Sequence, residues 1–230
     1  MLQLGYENYV TQAGDWGHWI TRAIGKLYPD SCKASHFNMV MANSPDGKSA
    51  IQILADASQS FSEEERRGLE RTKWFEVEGR GKSSLHLLQL GSRGNGDVGY
   101  NLEQSTKPQT LAYALNDSPV ALLAWIYEKL HDWTDSYPWT DDEIFTWVSI
   151  YQFSRAGPGA AHRIYYETMH TDPKKDADPK KICTYDAMRK FIPHVLIGLT
   201  YNPRDLYVVP SAWGRTLGHV VFEARNDRGG

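Results

Sequence analysis

The chain has 230 residues, with 25 basic and 28 acidic side chains and a formal net charge of −3. This balance gives no electrostatic reason to expect nucleic acid or an anionic membrane surface as a partner, and a small neutral partner fits better. Cys32 and Cys183 lack the spacing of a zinc or redox motif, and no apolar run reaches transmembrane length, so we expect free thiols in a cytoplasmic protein without a membrane segment.

A strand-to-helix corner lies near the start of the chain, at residues 12–20 (QAGDWGHWI). Residues 6–12 are aromatic and β-branched, as in a strand, and apolar residues recur with helical spacing after the corner. Ala13 and Gly17 flank Asp15 two residues away on each side. This pattern is typical of a nucleophile elbow with aspartate in the position of the usual serine. An aspartate just before a helix is also a common N-cap, which is the alternative interpretation.

The elbow predicts two chemical features. A nucleophile raised on a sharp turn needs small neighbours, because larger side chains would collide with the adjacent strand or helix. The backbone N–H of Trp16 would lie at a helix N-terminus, where it can stabilise negative charge on a bound carbonyl oxygen.

Strands and helices alternate at both ends of the chain. Residues 33–42 and 195–200 are predicted to be buried strands, residues 211–217 a short helix, and residues 220–223 a last strand. A polar, proline-bearing linker at residues 170–181 precedes the second group of strands. The alternation predicts an α/β fold with a doubly wound parallel sheet.

A long helical insertion separates the two groups of strands. Ser62 and Glu65 form a capping box that opens a charged helix, Ser118 precedes an apolar helix, and Thr140 and Glu143 form a second capping box. These helices are rich in Trp and Tyr, as in a lid over an apolar cavity, although plain core packing accounts for them equally well. We therefore predict a core from residues 1–43 and 182–230 and a helical cap from residues 44–181.

Five stretches of the chain resemble the epoxide hydrolases of the fungal and microsomal type, a branch of the α/β-hydrolase superfamily. They extend over nearly the whole chain, and the segment QSTKP at 104–108 is very specific to this branch. The stretches are AGDWG at 13–17, AxHxN at 34–38, the segment 99–129, IYYE at 164–167 and NPRDLYVVPSAW at 202–213. The resemblance implies a partial α/β-hydrolase fold, with parallel strands, flanking helices and an inserted helical cap.

The resemblance also implies roles for individual residues. Asp15 is expected to be the nucleophile that attacks an epoxide carbon and forms an alkyl-enzyme ester, with the Trp16 N–H in the oxyanion site. Tyr100 and Tyr165 match the lid tyrosines that hydrogen-bond the epoxide oxygen, and Asp205 matches the acid that orients a catalytic histidine. The expected partners are a small hydrophobic epoxide and water, with no metal or organic cofactor, and homodimerisation is left open.

The sequence departs from the family pattern at both ends. The family's catalytic histidine is expected directly after Gly230, and none of the eight histidines of the chain substitutes plausibly for it. The part that the family carries before the elbow is also not matched, so the 230 residues are expected to be a fragment. We therefore expect an ester that forms but hydrolyses slowly, because the base is missing. Microsomal association would depend on an N-terminal anchor in a longer protein.

An unusual insertion at residues 82–99 interrupts the segment before Tyr100. It is either a retained intron or a loop of this particular protein, since long surface loops cost little thermodynamically.

Two other functions remain open at this point. A haloalkane dehalogenase shares the aspartate elbow but needs no tyrosine pair, so turnover that survives Tyr100→Phe together with Tyr165→Phe would favour it. A non-catalytic product of a truncated gene is the third interpretation.

Overall fold

The computed structural model describes residues 1–48, 50–56, 60–75, 99–170 and 184–230. The chain divides into two compact units, the first formed by Met1–Lys73 with Pro173–Gly230 and the second by Trp74–Asp172. No helix within the described ranges is long and apolar enough to cross a membrane. In chain order the helices are α1 Asp15–Leu27, α2 Ala50–Ala55, α3 Glu63–Trp74, α4 Gly99–Thr106, α5 Pro108–Asp117, α6 Pro119–Trp133, α7 Asp141–Gln152, α8 Arg163–His170, α9 Tyr185–Met188 and α10 Ser211–Gly214.

The described part of the first unit contains a sheet of four parallel strands in the order β1-β2-β3-β4. The four predicted strands are present with shifted ends. The predicted strand 33–42 stops at Phe37, because Met39 turns the chain with a φ of 53°. The strands are β1 Tyr9–Ala13, β2 Cys32–Phe37, β3 Ile192–Tyr201 and β4 Gly218–Arg225.

One face of this sheet carries the core of the first unit. On β3, Val195, Ile197 and Leu199 are buried, and since alternate residues of a strand point the same way, they share this face. Val195 packs with Ile24 of α1. Ile197 and Leu199 belong to a buried cluster that includes residues of α2, α3, α10 and the 3₁₀ turn after α10: Ile53, Leu69, Trp213 and Leu217.

The opposite face of the sheet carries exposed apolar side chains. Val10 and Leu196 both pair with Ala34 of β2, so they lie on the same face, and they are 71% and 47% exposed. Phe222 of β4, 55% exposed, pairs with Gly198 on this face. Among the described residues, the helices of the first unit pack against the face of Ile197 and Leu199.

The first unit extends further along the chain than the predicted boundary at residue 43. Leu69 of α3 is buried in its core, and a Cβ on Gly68 would lie 2.8 Å from Val208 Cγ1. Thr72 Oγ1 accepts a hydrogen bond from the Val208 N–H at 2.8 Å and donates to the Val208 carbonyl at 3.0 Å. These contacts attach α3 to the rest of the first unit, so the chain reaches Lys73 before it enters the second unit.

The second unit is helical in its described part, as predicted for the cap. Ser118 caps α6 by accepting a hydrogen bond from the Ala121 N–H at 3.2 Å. Thr140 and Glu143 form the predicted capping box of α7. Of the unusual insertion at 82–99, all but Gly99 lies outside the described residues, and the retained-intron hypothesis stays a prediction.

Candidate active site

The predicted elbow is a sharp corner between β1 and α1. Gly14 is the N-cap of α1, and Asp15 is its first helical residue, so the N-cap alternative for Asp15 is wrong. The φ of Asp15 is 45°. A positive φ at a non-glycine residue costs about 1–3 kcal/mol and persists only where the surrounding structure imposes it. This is the strained backbone that a nucleophile elbow requires.

The small residues around Asp15 are needed because the backbone segments approach closely. A Cβ on Gly17 would lie 2.8 Å from the Cβ of Ala13, so the two flanking residues meet each other across the corner. A Cβ on Gly14 would lie 2.8 Å from the Nδ2 of Asn38. Real Cβ atoms are not found at such distances, which confirms the predicted steric reason for the small-x-Asp-x-small pattern.

The elbow lies at the carboxyl edge of the sheet, where parallel α/β folds bind their ligands. Asp15 is separated from the end of β1 by Gly14 alone and is exposed. Trp16, the predicted oxyanion residue, occupies the second position of α1 and is half-buried. Backbone N–H groups in the first turn of a helix point out of its amino end, and the oxyanion role of the Trp16 N–H stays a prediction.

The ends of β1 and β2 are connected by hydrogen bonds to each other and to the segment after β3. The Gln12 side-chain amide donates to Asn38 Oδ1 at 2.8 Å. The next residue, Met39, donates its backbone N–H to Asp205 Oδ2 at 3.1 Å. Sequence analysis assigned no role to Asn38 or Met39. For Asn38, the available signal was the AxHxN motif at the end of a predicted strand. No sequence pattern indicated the positive φ of Met39.

Asp205, the predicted acid, is buried and 6% exposed. Its Oδ2 accepts hydrogen bonds from the Met39 N–H and from Asn202 Nδ2, each at 3.1 Å. Burial raises the pKa of Asp205 to about 6, against these hydrogen bonds and the charge of Arg71, which favour the ionised form. Near neutral pH the carboxylate is therefore mainly ionised, as an acid that orients an imidazole must be.

The last two glycines pack against the turn that carries Asp205. The Arg204 N–H donates to the Gly229 carbonyl at 3.0 Å. A Cβ on Gly230 would lie 2.5 Å from the Arg204 carbonyl carbon. Gly230, the last residue before the predicted position of the catalytic histidine, therefore lies beside this turn.

Four histidines of the described residues have other surroundings. His18 is fully buried, its ring centroid lies 4.7 Å from that of Phe37, and burial lowers its pKa to about 3, with smaller effects from Arg22 and Arg189. The remaining three are His36, which hydrogen-bonds Thr200; His162, which is buried against Gln104; and His219, which contacts the ring of Phe191. Within the described part of the chain, no group of three or more His, Cys, Asp or Glu could hold a metal.

The two predicted tyrosines lie together in the second unit. Tyr100 is on α4 and Tyr165 on α8, and their ring centroids are 6.2 Å apart in an edge-to-face arrangement. Both rings are half-buried. Asp15 and Asp205 belong to the first unit, so the meeting of the tyrosines with Asp15 stays a prediction.

Comparison with known proteins identifies the family, although no family model matches the chain. The chain is 34% identical over 224 residues to epoxide hydrolase 1 of Sus scrofa, covering 93% of this chain and 44% of that protein. It is 29% identical over 236 residues to a putative epoxide hydrolase of Stigmatella aurantiaca. The solved structure of Aspergillus niger epoxide hydrolase superposes with a TM-score of 0.70 at 30% identity, over 100% of this chain and 49% of that one. The chain belongs to the epoxide hydrolase family.

The epoxide hydrolase relatives confirm the α/β-hydrolase fold that the motifs implied. Juvenile hormone epoxide hydrolase of Bombyx mori has the same fold, with a TM-score of 0.71 at 24% identity. The chain spans about half the length of the relatives it matches, 44% of the Stigmatella protein and 49% of the Aspergillus one.

Proposed function

We propose that this member of the epoxide hydrolase family acts on a small hydrophobic epoxide and water, and that its reaction proceeds through an ester on Asp15. One observation carries the proposal: an aspartate with a φ of 45° on a tight elbow at the carboxyl edge of a parallel sheet. An N-cap needs no such strain, whereas a nucleophile must be lifted away from its own backbone.

The first half-reaction is the opening of the epoxide ring. A carboxylate oxygen of Asp15 bonds to a ring carbon while the bond from that carbon to the epoxide oxygen breaks. The released oxygen takes a proton from the hydroxyl of Tyr100 or Tyr165, so the products are a hydroxyalkyl ester and a phenolate. A phenol suits this role because its ordinary pKa of about 10 keeps it protonated near neutral pH.

The second half-reaction is hydrolysis of the ester. Water attacks the carbonyl carbon of the Asp15 ester, and the Trp16 N–H stabilises the oxyanion that forms. The bond to the alkyl oxygen then breaks, and this oxygen takes the proton that the attacking water gave up, so the diol leaves. Asp15 keeps one oxygen from the water, and the second proton of the water returns to the tyrosine phenolate. The attacking water must lose a proton to a base, and Asp205 is proposed to orient the imidazole that accepts it.

Intact-mass spectrometry of the protein after incubation with styrene oxide tests the first half-reaction. We expect a single added mass equal to that of the epoxide, located on Asp15 by peptide mapping. Asp15→Asn should abolish the adduct. Asp30→Asn, at an exposed aspartate after the end of α1, is the matched control and should keep it.

Several results would count against the proposal. An adduct that persists in Asp15→Asn would mean that another nucleophile reacts. Bromide release from a bromoalkane that survives Tyr100→Phe with Tyr165→Phe would favour a dehalogenase. Neither adduct nor diol from the folded protein would indicate a non-catalytic chain.

A further inference from the structure

A lysine in the second unit is surrounded by aromatic rings, one of which belongs to a proposed proton donor. The Lys129 Nζ lies 4.7 Å from the ring centroid of Tyr100, 5.3 Å from that of Trp125 and 5.2 Å from that of Trp133. All three distances fall within the range of about 6 Å for cation–π contacts.

The arrangement follows from the spacing of residues on α6. Trp125, Lys129 and Trp133 are four residues apart in succession, so they lie on one face of the helix. Tyr100 of α4 packs against this face, with its ring centroid 5.1 Å from that of Trp133 in an edge-to-face arrangement. The second tyrosine, Tyr165, contacts the ring of Tyr100. The lysine therefore belongs to the same cluster as both proposed donors.

A lysine on a helix surface ordinarily extends its ammonium group into water. The side chain of Lys129 is only 15% exposed, and its ammonium contacts the carboxylate of the neighbouring Glu128, which is 49% exposed. A partly desolvated cation interacts more strongly with aromatic faces than an exposed one. The position of this charge is thus determined by the rings around it and by one carboxylate.

We propose that Lys129 is a positioning residue for ring opening. Its ammonium group holds the ring of Tyr100 in the orientation that directs the phenol toward the epoxide oxygen, and it brings positive charge near the oxygen that becomes negative as the ring opens. This inference rests on the proposed function of Asp15 and the tyrosines. It adds Lys129 to the proposed mechanism as a residue that does not itself touch the substrate.

The test compares Lys129→Met, Lys129→Arg and the control Lys107→Met in the full chain. Methionine keeps much of the length and volume of lysine but removes the charge, whereas arginine keeps the charge. Lys107 is an exposed lysine at the N-cap of α5, in the same unit. Circular dichroism and the melting temperature report whether each variant folds.

Two measurements are made on each variant. The first is the NMR signal of Tyr100 in protein labelled with ¹³C at Cζ of its 13 tyrosines, assigned with Tyr100→Phe. The second is the rate of ester formation on Asp15 at increasing concentrations of styrene oxide. We expect Lys129→Met to shift the Tyr100 signal and to lower the maximal rate about tenfold, with little change in the half-saturating concentration. Lys129→Arg should keep both the Tyr100 signal and the maximal rate close to their wild-type values, and Lys107→Met should change neither.

The two readouts separate failure of this inference from failure of the proposed function. If wild type forms no ester, the proposed function is overturned. If wild type forms the ester and folded Lys129→Met forms it at the same maximal rate, the role of Lys129 alone is overturned. An unchanged Tyr100 signal in Lys129→Met would also overturn it, because the ammonium would then not contact that ring.

Discussion

Asp15 owes its position to residues that have no chemical role of their own. Its φ of 45° places the carboxylate at the outside of a corner that Ala13 and Gly17 close from within. The distance of 2.8 Å between the Cβ of Ala13 and a Cβ built on Gly17 leaves no room for a larger residue. The reactivity proposed for Asp15 therefore depends on the small size of the side chains at Ala13 and Gly17.

Gly17→Ala is expected to destabilise the protein by about 1–3 kcal/mol, because the new methyl group overlaps the Cβ of Ala13 and forces the backbone to shift. Chemical denaturation measures this change in the free energy of unfolding. The control is Gly99→Ala at the start of α4, where a Cβ would have no atom of the described residues within 4 Å, and it should change stability little. Equal effects of the two substitutions would contradict the steric explanation of the elbow.

Asp205 makes stability depend on pH in an uncommon direction for a carboxylate. Its folded-state pKa of about 6 lies above the usual value of 3.8, because the ionised form is buried. Between these values the folded protein binds more protons than the unfolded chain, so the contribution of Asp205 to stability is lost as pH rises from about 4 to about 6.

Asp205→Asn removes this titration. The variant should therefore gain about 2 kcal/mol in unfolding free energy relative to wild type between pH 4 and pH 7. Denaturation curves at several pH values measure the difference. Asp30→Asn, at an exposed aspartate, is the control and should give a difference that changes little with pH. A constant difference for Asp205→Asn would mean that the carboxylate titrates normally.

The third strand of the sheet shows how one element can have two different surfaces. Leu199 is fully buried among the helices, whereas Leu196, on the opposite face of the same strand, is 47% exposed. Burial of apolar area stabilises a fold in proportion to the area removed from water. The two leucine side chains on β3 should therefore contribute unequally to the free energy of unfolding.

Leu199→Ala should cost about 2–5 kcal/mol, because it leaves a cavity in the packed core. Leu196→Ala should cost less than about 1 kcal/mol and should reduce aggregation, because it removes exposed apolar surface from an open sheet face. Chemical denaturation and light scattering of the matched pair measure the two effects. A larger loss of stability for Leu196→Ala would mean that its face is covered in solution.

For the whole molecule, the proposed chemistry is divided between two compact units. Asp15, Trp16 and Asp205 belong to the first unit, and Tyr100, Tyr165 and Lys129 to the second. Each group is held by contacts within its own unit: Asp205 by Met39 and Asn202, and Tyr100 by Trp133 and Lys129. In the proposed mechanism, ester formation uses side chains of both units, whereas hydrolysis of the ester uses chiefly those of the first.

Adding a histidine directly after Gly230 is expected to accelerate diol release by at least about 10²-fold, the usual effect of a positioned general base. The physical reason is that Gly229 and Gly230 pack against the turn carrying Asp205. Chromatographic measurement of diol from styrene oxide follows the rate, and adding glutamine instead is the control. The same rate for both additions would contradict the role of Asp205, and Asp205→Asn should remove the gain from histidine.

The sequence by itself determined the features that depend on neighbouring residues. The strand patterns, the capping boxes of α3 and α7, the small residues around Asp15 and the family motifs could all be recognised locally. The tertiary structure alone decided the φ of Asp15, the Met39 to Asp205 hydrogen bond, the extension of the first unit to Lys73 and the contact of Lys129 with the ring of Tyr100. The φ of Asp15 is imposed by packing at the corner, and the other three depend on contacts between residues far apart in the chain. Local periodicity and capping carry no information about such contacts.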